Sequence, residues 1–326
     1  MKLAYESRAC GVLFNILCSR DSERPFLLPS NICPIVPITF LKAGWRFSFV
    51  DISTADLFID RDQCLQIVSE SPENYGGIMF VRTYGAEIDP GNFFAELKRL
   101  QPSFLIIDDK CLCRPDYDGL WLDPFSDVTL FSTGYSKYVD LGFGGFAFLN
   151  DSVPYRRHAR GFAESALLEV TRRYKDAIAE HSPFKGAKDE WLDLSEPCLS
   201  WHRYRKSLLD TLSGTEQHKR RINEIYSNAV PVEIQLPESF QQWRFNIRVS
   251  KADRLVVRLF EANLFASRHY SSLGGIFFEG RFPQAEELHE SVVNLLNDWN
   301  FNETKAKLTT EIILEHLRFV ETDSSH

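Results

Sequence analysis

No stretch of the chain approaches about 18 uncharged apolar residues, so a membrane-spanning helix is not expected. The first residues, Met1 to Cys18, carry Glu6 and Arg8 where a secretory signal would need an unbroken apolar core, and a cytoplasmic protein is the expectation. An excess of basic charge is missing as well. The formal charge is −8, with acids and bases interspersed along the whole length and no basic stripe of the kind nucleic-acid binding needs. A phosphate-backbone partner is therefore not expected. Metal-ligand spacing is lacking too: Cys111 and Cys113 are separated by one residue and have no second cysteine or histidine cluster, which argues against zinc. The seven cysteines are odd in number, and Cys10, Cys18, Cys33 and Cys64 lie in apolar segments, so reduced core thiols are expected. There is neither an internal repeat nor a low-complexity tract.

What the chain does have is 326 residues and 44% hydrophobic content, enough for one large domain and a smaller one. Strand-length apolar stretches at 25–28, 46–50, 77–81, 104–107, 128–131 and 145–149 alternate with helical patterns at 8–18, 33–43, 61–69 and 92–100. That alternation is the signature of a parallel sheet with crossover helices. Near-continuous apolar strands such as Phe104-Leu105-Ile106-Ile107 fit a sheet covered on both faces. Beyond Asn150 long charged helical stretches are expected up to Ser182 and again over 191–228. A polar, proline-containing segment at 230–239 leads into a last unit, with a strand at 243–249 and helices at 251–262, 285–296 and 303–317. These patterns place a large α/β domain at 1–205 and a small α+β domain at 206–326, with a frayed tail over 322–326.

In an open parallel sheet, ligands sit beyond the carboxyl ends of the strands. Three such places carry candidate chemistry. Asp108-Asp109 follows the 104–107 strand, and neighbouring carboxylates repel unless a positive group lies close by. Ser132-Thr133-Gly134-Tyr135-Ser136-Lys137 follows the 128–131 strand and precedes Gly142-Phe143-Gly144-Gly145. Small and hydroxylated residues let backbone N–H groups approach a phosphate, and a lysine there can condense with an aldehyde. At the start of the chain, Glu6-Ser7-Arg8-Ala9 opens an apolar helix, whose N-terminus with Arg8 forms a natural anion site; an ordinary Ser7 N-cap is the alternative.

The order of these pieces resembles the DegT/DnrJ-type sugar aminotransferases, fold-type-I pyridoxal-phosphate enzymes, from Ser7 to about Leu317. The motifs that carry the resemblance are Glu6-Ser7-Arg8-Ala9-Cys10-Gly11, Leu28-Pro29-Ser30-Asn31, Val81-Arg82-Thr83-Tyr84-Gly85, Ile106-Ile107-Asp108-Asp109 and Asp127-Val128-Thr129-Leu130-Phe131-Ser132 with Lys137 and the Gly-Phe-Gly-Gly turn. Weaker landmarks are Arg220-Arg221-Ile222-Asn223 with Tyr226, Arg268-His269-Tyr270 and Val292-Val293-Asn294-Leu295. The resemblance implies the aspartate-aminotransferase fold, a mostly parallel sheet with helices on both faces and a smaller C-terminal domain. It implies pyridoxal 5'-phosphate held by Lys137 as a Schiff base, Asp109 on the pyridine nitrogen, and Ser132, Arg8 and Ala9 at the phosphate. It further implies a keto-sugar acceptor attached to a nucleotide, glutamate or glutamine as amino donor, and a homodimer.

Departures from the family pattern stand beside it. Leu112 occupies the place of a glutamine that hydrogen-bonds the cofactor, and a leucine cannot donate. Cys33 falls where an aromatic stacks on the ring, and a thiol stacks less well. Family members carry several dozen residues before the phosphate turn, so closure over the substrate is expected to differ. These departures keep a non-catalytic binding or scaffolding relative as the rival reading. A dehydratase ranks lower, because dehydrating members have a histidine where Lys137 stands.

Overall fold

The computed structural model describes residues 1–20, 24–120, 122–158, 161–186 and 190–323. Its central sheet has seven strands: β1 (Lys2–Glu6), β2 (Phe26–Pro29), β3 (Phe47–Val50), β4 (Gly77–Val81), β5 (Leu105–Asp109), β6 (Val128–Ser132) and β7 (Gly145–Leu149). They lie in the order β1-β7-β6-β5-β4-β2-β3. From β6 to β3 every pair is parallel, whereas β7 runs antiparallel to both β6 and β1.

The side-chain period of two explains why these strands are apolar at almost every position. Ile78, Phe80 and Ile106 point into one core, with Phe94 and Leu97 of α4 (Phe93–Leu100) and Cys64 and Val68 of α3 (Arg61–Glu70). Met79, Leu105 and Ile107 point into the other, with Leu13 and Ile16 of α1 (Ala9–Cys18) and Phe40 of α2 (Ile35–Lys42). Asp127 is tied down between the layers: its carboxylate accepts from Ile106 N–H at 2.8 Å and from Lys98 of α4 at 2.6 Å.

After the sheet the chain departs from the sequence expectation. Residues 150–158 and 161–163 are not helical, and α5 is confined to Glu164–Ala179. Pro154 lacks the N–H a helix needs, and Gly161 disfavours one. Likewise the helix expected from 191 starts only at Trp201, after Pro197, and runs as α6 to Ala229 without a break at 205. Segment 191–200 instead packs Trp191, Leu192 and Leu194 beneath α1 and α5.

A second sheet, β8 (Phe245–Arg248), β10 (Val292–Leu295) and β9 (Ala266–Ser267), is covered by α7 (Ala252–Glu261), α8 (Pro283–Ser291) and α9 (Glu303–Asp323). The expected helix over 285–296 is thus a helix followed by a strand. Val292-Val293 is β-branched and fully buried, and it pairs with Arg248 and Ile247, so sheet pairing overrides the helical pattern. Lys2–Glu6, unassigned from the sequence, is the edge strand β1. Thr322 belongs to α9 rather than to a frayed tail, and residues 324–326 lie outside the described residues. All seven cysteines are free; Cys64 and Cys113 are buried, but Cys198 is exposed and is no core thiol. Among the described residues no helix is long and apolar enough to cross a membrane.

Candidate active site

The strand order reverses at β2, which has β3 on one side and β4 on the other. Loops leaving the carboxyl ends of β2 and β4 therefore diverge and open a crevice. Cys33 lies on the first of these loops and Arg82 to Gly85 on the second.

Adjacent acids at the end of β5 have opposite surroundings. Asp108 is fully buried and bonded side-on by Arg82, with Nε to Oδ1 at 2.7 Å and the terminal nitrogen to Oδ2 at 2.9 Å. Arg82 also donates to the Ile88 carbonyl and stacks over Phe80. Asp109 is also buried, yet its carboxylate accepts the Cys111 N–H, at 2.9 Å, with the Cys111 thiol as a further donor, and among the described residues no cation forms an ion pair with it. Burial pushes its carboxyl above the usual range, opposed by the Cys111 contacts and then by the charge of Lys137.

The N-terminus of α1 forms a second cluster. Backbone hydrogen bonds of the helix begin with Gly11 and Val12 donating to Arg8 C=O, which leaves the Ala9 and Cys10 amides without an intrahelical acceptor. Arg8 occupies the N-cap position, so the alternative of a Ser7 cap is not realised; the Ser7 hydroxyl donates to Ser195 C=O instead. The glycine-rich turn packs directly on this end. A Cβ on Gly145 would lie 2.1 Å from Ala9 N, and one on Gly144, at φ +92°, would collide with Tyr204. Arg8 donates to Gly142 C=O at 2.7 Å and lies over the Tyr135 ring. Gly134 stands between, its Cβ direction 3.5 Å from the Arg8 guanidinium and 3.6 Å from Ser132 Oγ. Ser132, Gly134, Arg8 and Ala9 thus come together around one small, amide-rich turn.

Lys137 closes the loop that leaves β6. Asp140 staples it by accepting from Ser136 N–H and Gly142 N–H, each at 2.8 Å, and Ser136 is held left-handed at φ 58°. Trp243, at the start of the small sheet, donates its indole N–H to Ser136 C=O at 2.6 Å and lies parallel to Tyr84, itself left-handed at φ 54°. Two non-glycine residues in that conformation beside one lysine mark a backbone held in place by its neighbours.

Lys137 opens into a cavity of about 540 Å³, walled by Cys33, Leu112, Trp243, Arg244 and His269, with α5 contributing Tyr174. Asp109 is coupled electrostatically to Lys137 and to Tyr270, which also line it. His269 stays neutral, its pKa lowered to about 3 by burial and then by Arg244 and Lys137.

Of the six residues singled out from the sequence, Lys137 and Cys33 line the cavity, Asp109 is buried within the electrostatic reach of Lys137 without lining it, and Ser132, Arg8 and Ala9 stand at the turn. Sequence reasoning did not identify Trp243 and Arg244, because a tryptophan and an arginine before a strand carry no local signal of a cavity over 100 residues away. Arg82 was visible as a motif residue, but its pairing with Asp108 follows only from β4 and β5 being neighbours.

No protein-family model matches the chain, and no curated protein matches it in sequence. Solved structures do. A Streptococcus pneumoniae protein described as a sugar aminotransferase superposes with a TM-score of 0.73 at 18% identity, over 100% of this chain and 88% of that one. PseC of Helicobacter pylori, an aminotransferase involved in pseudoaminic acid biosynthesis, gives 0.67 at 14% identity, over 97% and 86%. A DegT DnrJ EryC1 StrS aminotransferase from Brucella abortus gives 0.65 at 16%, also over 97% and 86%. The chain has the fold of these pyridoxal-phosphate-type aminotransferases.

Proposed function

We propose that the chain is a pyridoxal-phosphate-dependent aminotransferase of the DegT/DnrJ type that acts on a keto sugar, probed best through Lys137. The observation that carries this reading is the unequal state of the two buried acids. Asp108 has its cation in Arg82; Asp109 has no ion-pair partner among the described residues and sits in the field of Lys137. A protonated pyridine nitrogen is the partner such a carboxylate lacks. The turn fits a phosphate for an independent reason, since Gly134 puts no side chain between the Arg8 guanidinium and the Ser132 hydroxyl, and Gly145 puts none against the first amide of α1. Leu112 and Cys33 fit less well, offering neither a hydrogen bond nor a stacking ring.

When bound, pyridoxal phosphate supplies an aldehyde that takes up an amino group and a ring that accepts electrons. Lys137 Nζ would hold it and carry a proton to and from the donor's α-carbon. Asp109 would accept the pyridine N–H, while Ser132, Ala9 and Arg8 hold the phosphate. His269, kept neutral, adds no competing charge. Residues 1–205 would supply these groups, and residues 206–326 the opposite wall through Trp243 and Arg244. Two similar structures bear sugar aminotransferase or pseudoaminic acid in their descriptions, which supports a keto sugar. A nucleotide-linked acceptor, glutamate or glutamine as donor, and a cytoplasmic homodimer complete the reading; Tyr135, 72% exposed at the cavity rim, is open to cover by a second copy.

The test is the absorbance spectrum of protein loaded with pyridoxal phosphate and freed of excess, for wild type beside Lys137→Ala, before and after borohydride. A lysine-dependent band made permanent by reduction is expected. No band in wild type would favour the rival binding protein, for which Leu112 and Cys33 speak.

A further inference from the structure

A second cavity, of about 920 Å³, lies between the C-terminal half of α6 and the segment 232–245 that leads into β8. It shares no lining residue with the cavity at Lys137, and its size suits a small organic ligand. Lys219 lines it at 5% exposure. Two of the three N–H groups of its ammonium go to neutral acceptors, Trp243 C=O and Asn297 Oδ1, each at 2.8 Å. Among the described residues no carboxylate pairs with it. Burial lowers its pKa to about 7, a fall that Asp298 opposes and Arg244 deepens. A buried cation without a counter-charge is costly, and an anion in the cavity would relieve that cost.

The remaining polar groups narrow the class of anion. Arg114 is paired with Glu216, while Arg220, Glu224 and Glu238 are exposed to water. Gln235 and Gln241 each give both side-chain N–H groups to backbone carbonyls, and Asn223 gives one to Gln241 C=O. One desolvated amine is therefore left beside apolar surface, since Tyr138, Leu236 and Phe245 are buried and line the same cavity. The amine itself lies 5.2 Å from the centre of the Tyr138 ring. A phosphate carries more charge and more oxygens than one amine satisfies, and Glu224 and Glu238 repel it. A single carboxylate on an apolar body matches both the amine and the wall.

We infer that this cavity binds a small organic monocarboxylate, its charge received by Lys219 and its apolar body by Tyr138, Leu236 and Phe245. The site is separate from the one at Lys137 and stands whether or not the aminotransferase reading holds. Trp243 joins the two places through different groups, its carbonyl accepting from Lys219 and its indole N–H donating to Ser136 C=O beside Lys137.

The experiment titrates the full chain by calorimetry with benzoate and phenylacetate, in the presence of pyridoxal phosphate and below pH 7, where Lys219 carries its charge. Benzamide and inorganic phosphate serve as the uncharged and the multiply charged controls. Wild type is compared with Lys219→Met and with Ser227→Phe, which puts a ring into the cavity from an exposed position of α6 and leaves Lys219 in place. The carboxylates should bind wild type, and their affinity should fall about 10- to 100-fold in Lys219→Met, the range expected for a lost hydrogen bond to a charged group. Ser227→Phe should weaken them at least about tenfold as well, and it decides the matter by itself if Lys219→Met does not fold. Absence of carboxylate binding to wild type overturns the inference, as does equal binding to Lys219→Met. Benzamide or phosphate binding as tightly as benzoate overturns it too. Binding that falls in Lys219→Met but survives Ser227→Phe would mean that Lys219 acts through Trp243 on the other cavity, and it likewise overturns the inference.

Discussion

Replacing Asp108 and Asp109 by asparagine, one at a time in cofactor-free protein, should have opposite effects on stability. Asp108→Asn leaves Arg82, 4% exposed, facing an amide in place of a carboxylate at 2.7 and 2.9 Å. Removing one partner of a buried pair costs about 3–5 kcal/mol. With an unfolding entropy of about 2.1 cal/mol/K per residue, a chain of 326 residues has about 0.7 kcal/mol/K, so its Tm should fall by about 4–7 °C. Asp109→Asn keeps the acceptor for Cys111 N–H and removes a carboxyl whose pKa burial has raised above 3.8. A raised carboxyl pKa means that its stability is fully present below the unfolded value and is lost as pH rises through the folded value. The asparagine avoids that loss, so this variant should equal wild type near the ordinary carboxyl pKa and exceed it as pH climbs toward neutrality. Urea and thermal unfolding of the three proteins across this range provide the assay. If Asp109→Asn were destabilised at neutral pH as much as Asp108→Asn, Asp109 would have a cation of its own and the case for a pyridine partner would collapse.

Lys219 of α6 is buried, donates to Trp243 C=O and Asn297 Oδ1, each at 2.8 Å, and has its pKa lowered by burial from 10.5 to about 7. Because the unfolded chain then holds the proton more tightly, wild-type stability should rise between those two values by up to about 5 kcal/mol, at about 1.4 kcal/mol per pH unit; urea unfolding should show Lys219→Met without that slope. Gly145→Ala places a Cβ 2.1 Å from Ala9 N and forces β7 and α1 apart. Overpacking of this kind costs about 1–3 kcal/mol, and pyridoxal-phosphate titration should show at least about tenfold weaker binding than wild type.

The large sheet was legible because buried parallel strands leave near-continuous apolar stretches, and Gly77–Val81 and Gly145–Leu149 coincide with their sequence-based bounds. Where a segment takes its form from distant partners, local pattern misleads. Val292–Leu295 carries an apolar spacing compatible with a helix, but pairs on both edges with β8 and β9. Lys2–Glu6 has no strand signal of its own beyond Leu3-Ala4-Tyr5, and gains its conformation from β7. The same division holds in the site. Lys137, Asp109 and Ser132 follow strands that can be read, so their convergence at one end of a sheet is expected. Trp243 and Arg244 reach the cavity only because the small sheet is folded against it.

The pairing of β1 with β7 also dictates an order of events during synthesis. Lys2 pairs opposite Leu149, so β1, made ahead of the other strands of its sheet, has no strand partner in it until the last of them has emerged. At about 5–20 residues per second, that wait lasts roughly 7–30 s. Throughout it the turn at Ser7 and Arg8 has nothing to rest on, since Gly142, Gly144 and Gly145 are still to come. The N-terminal end of α1 is thus made before the glycine turn that it rests on, and takes shape only with it.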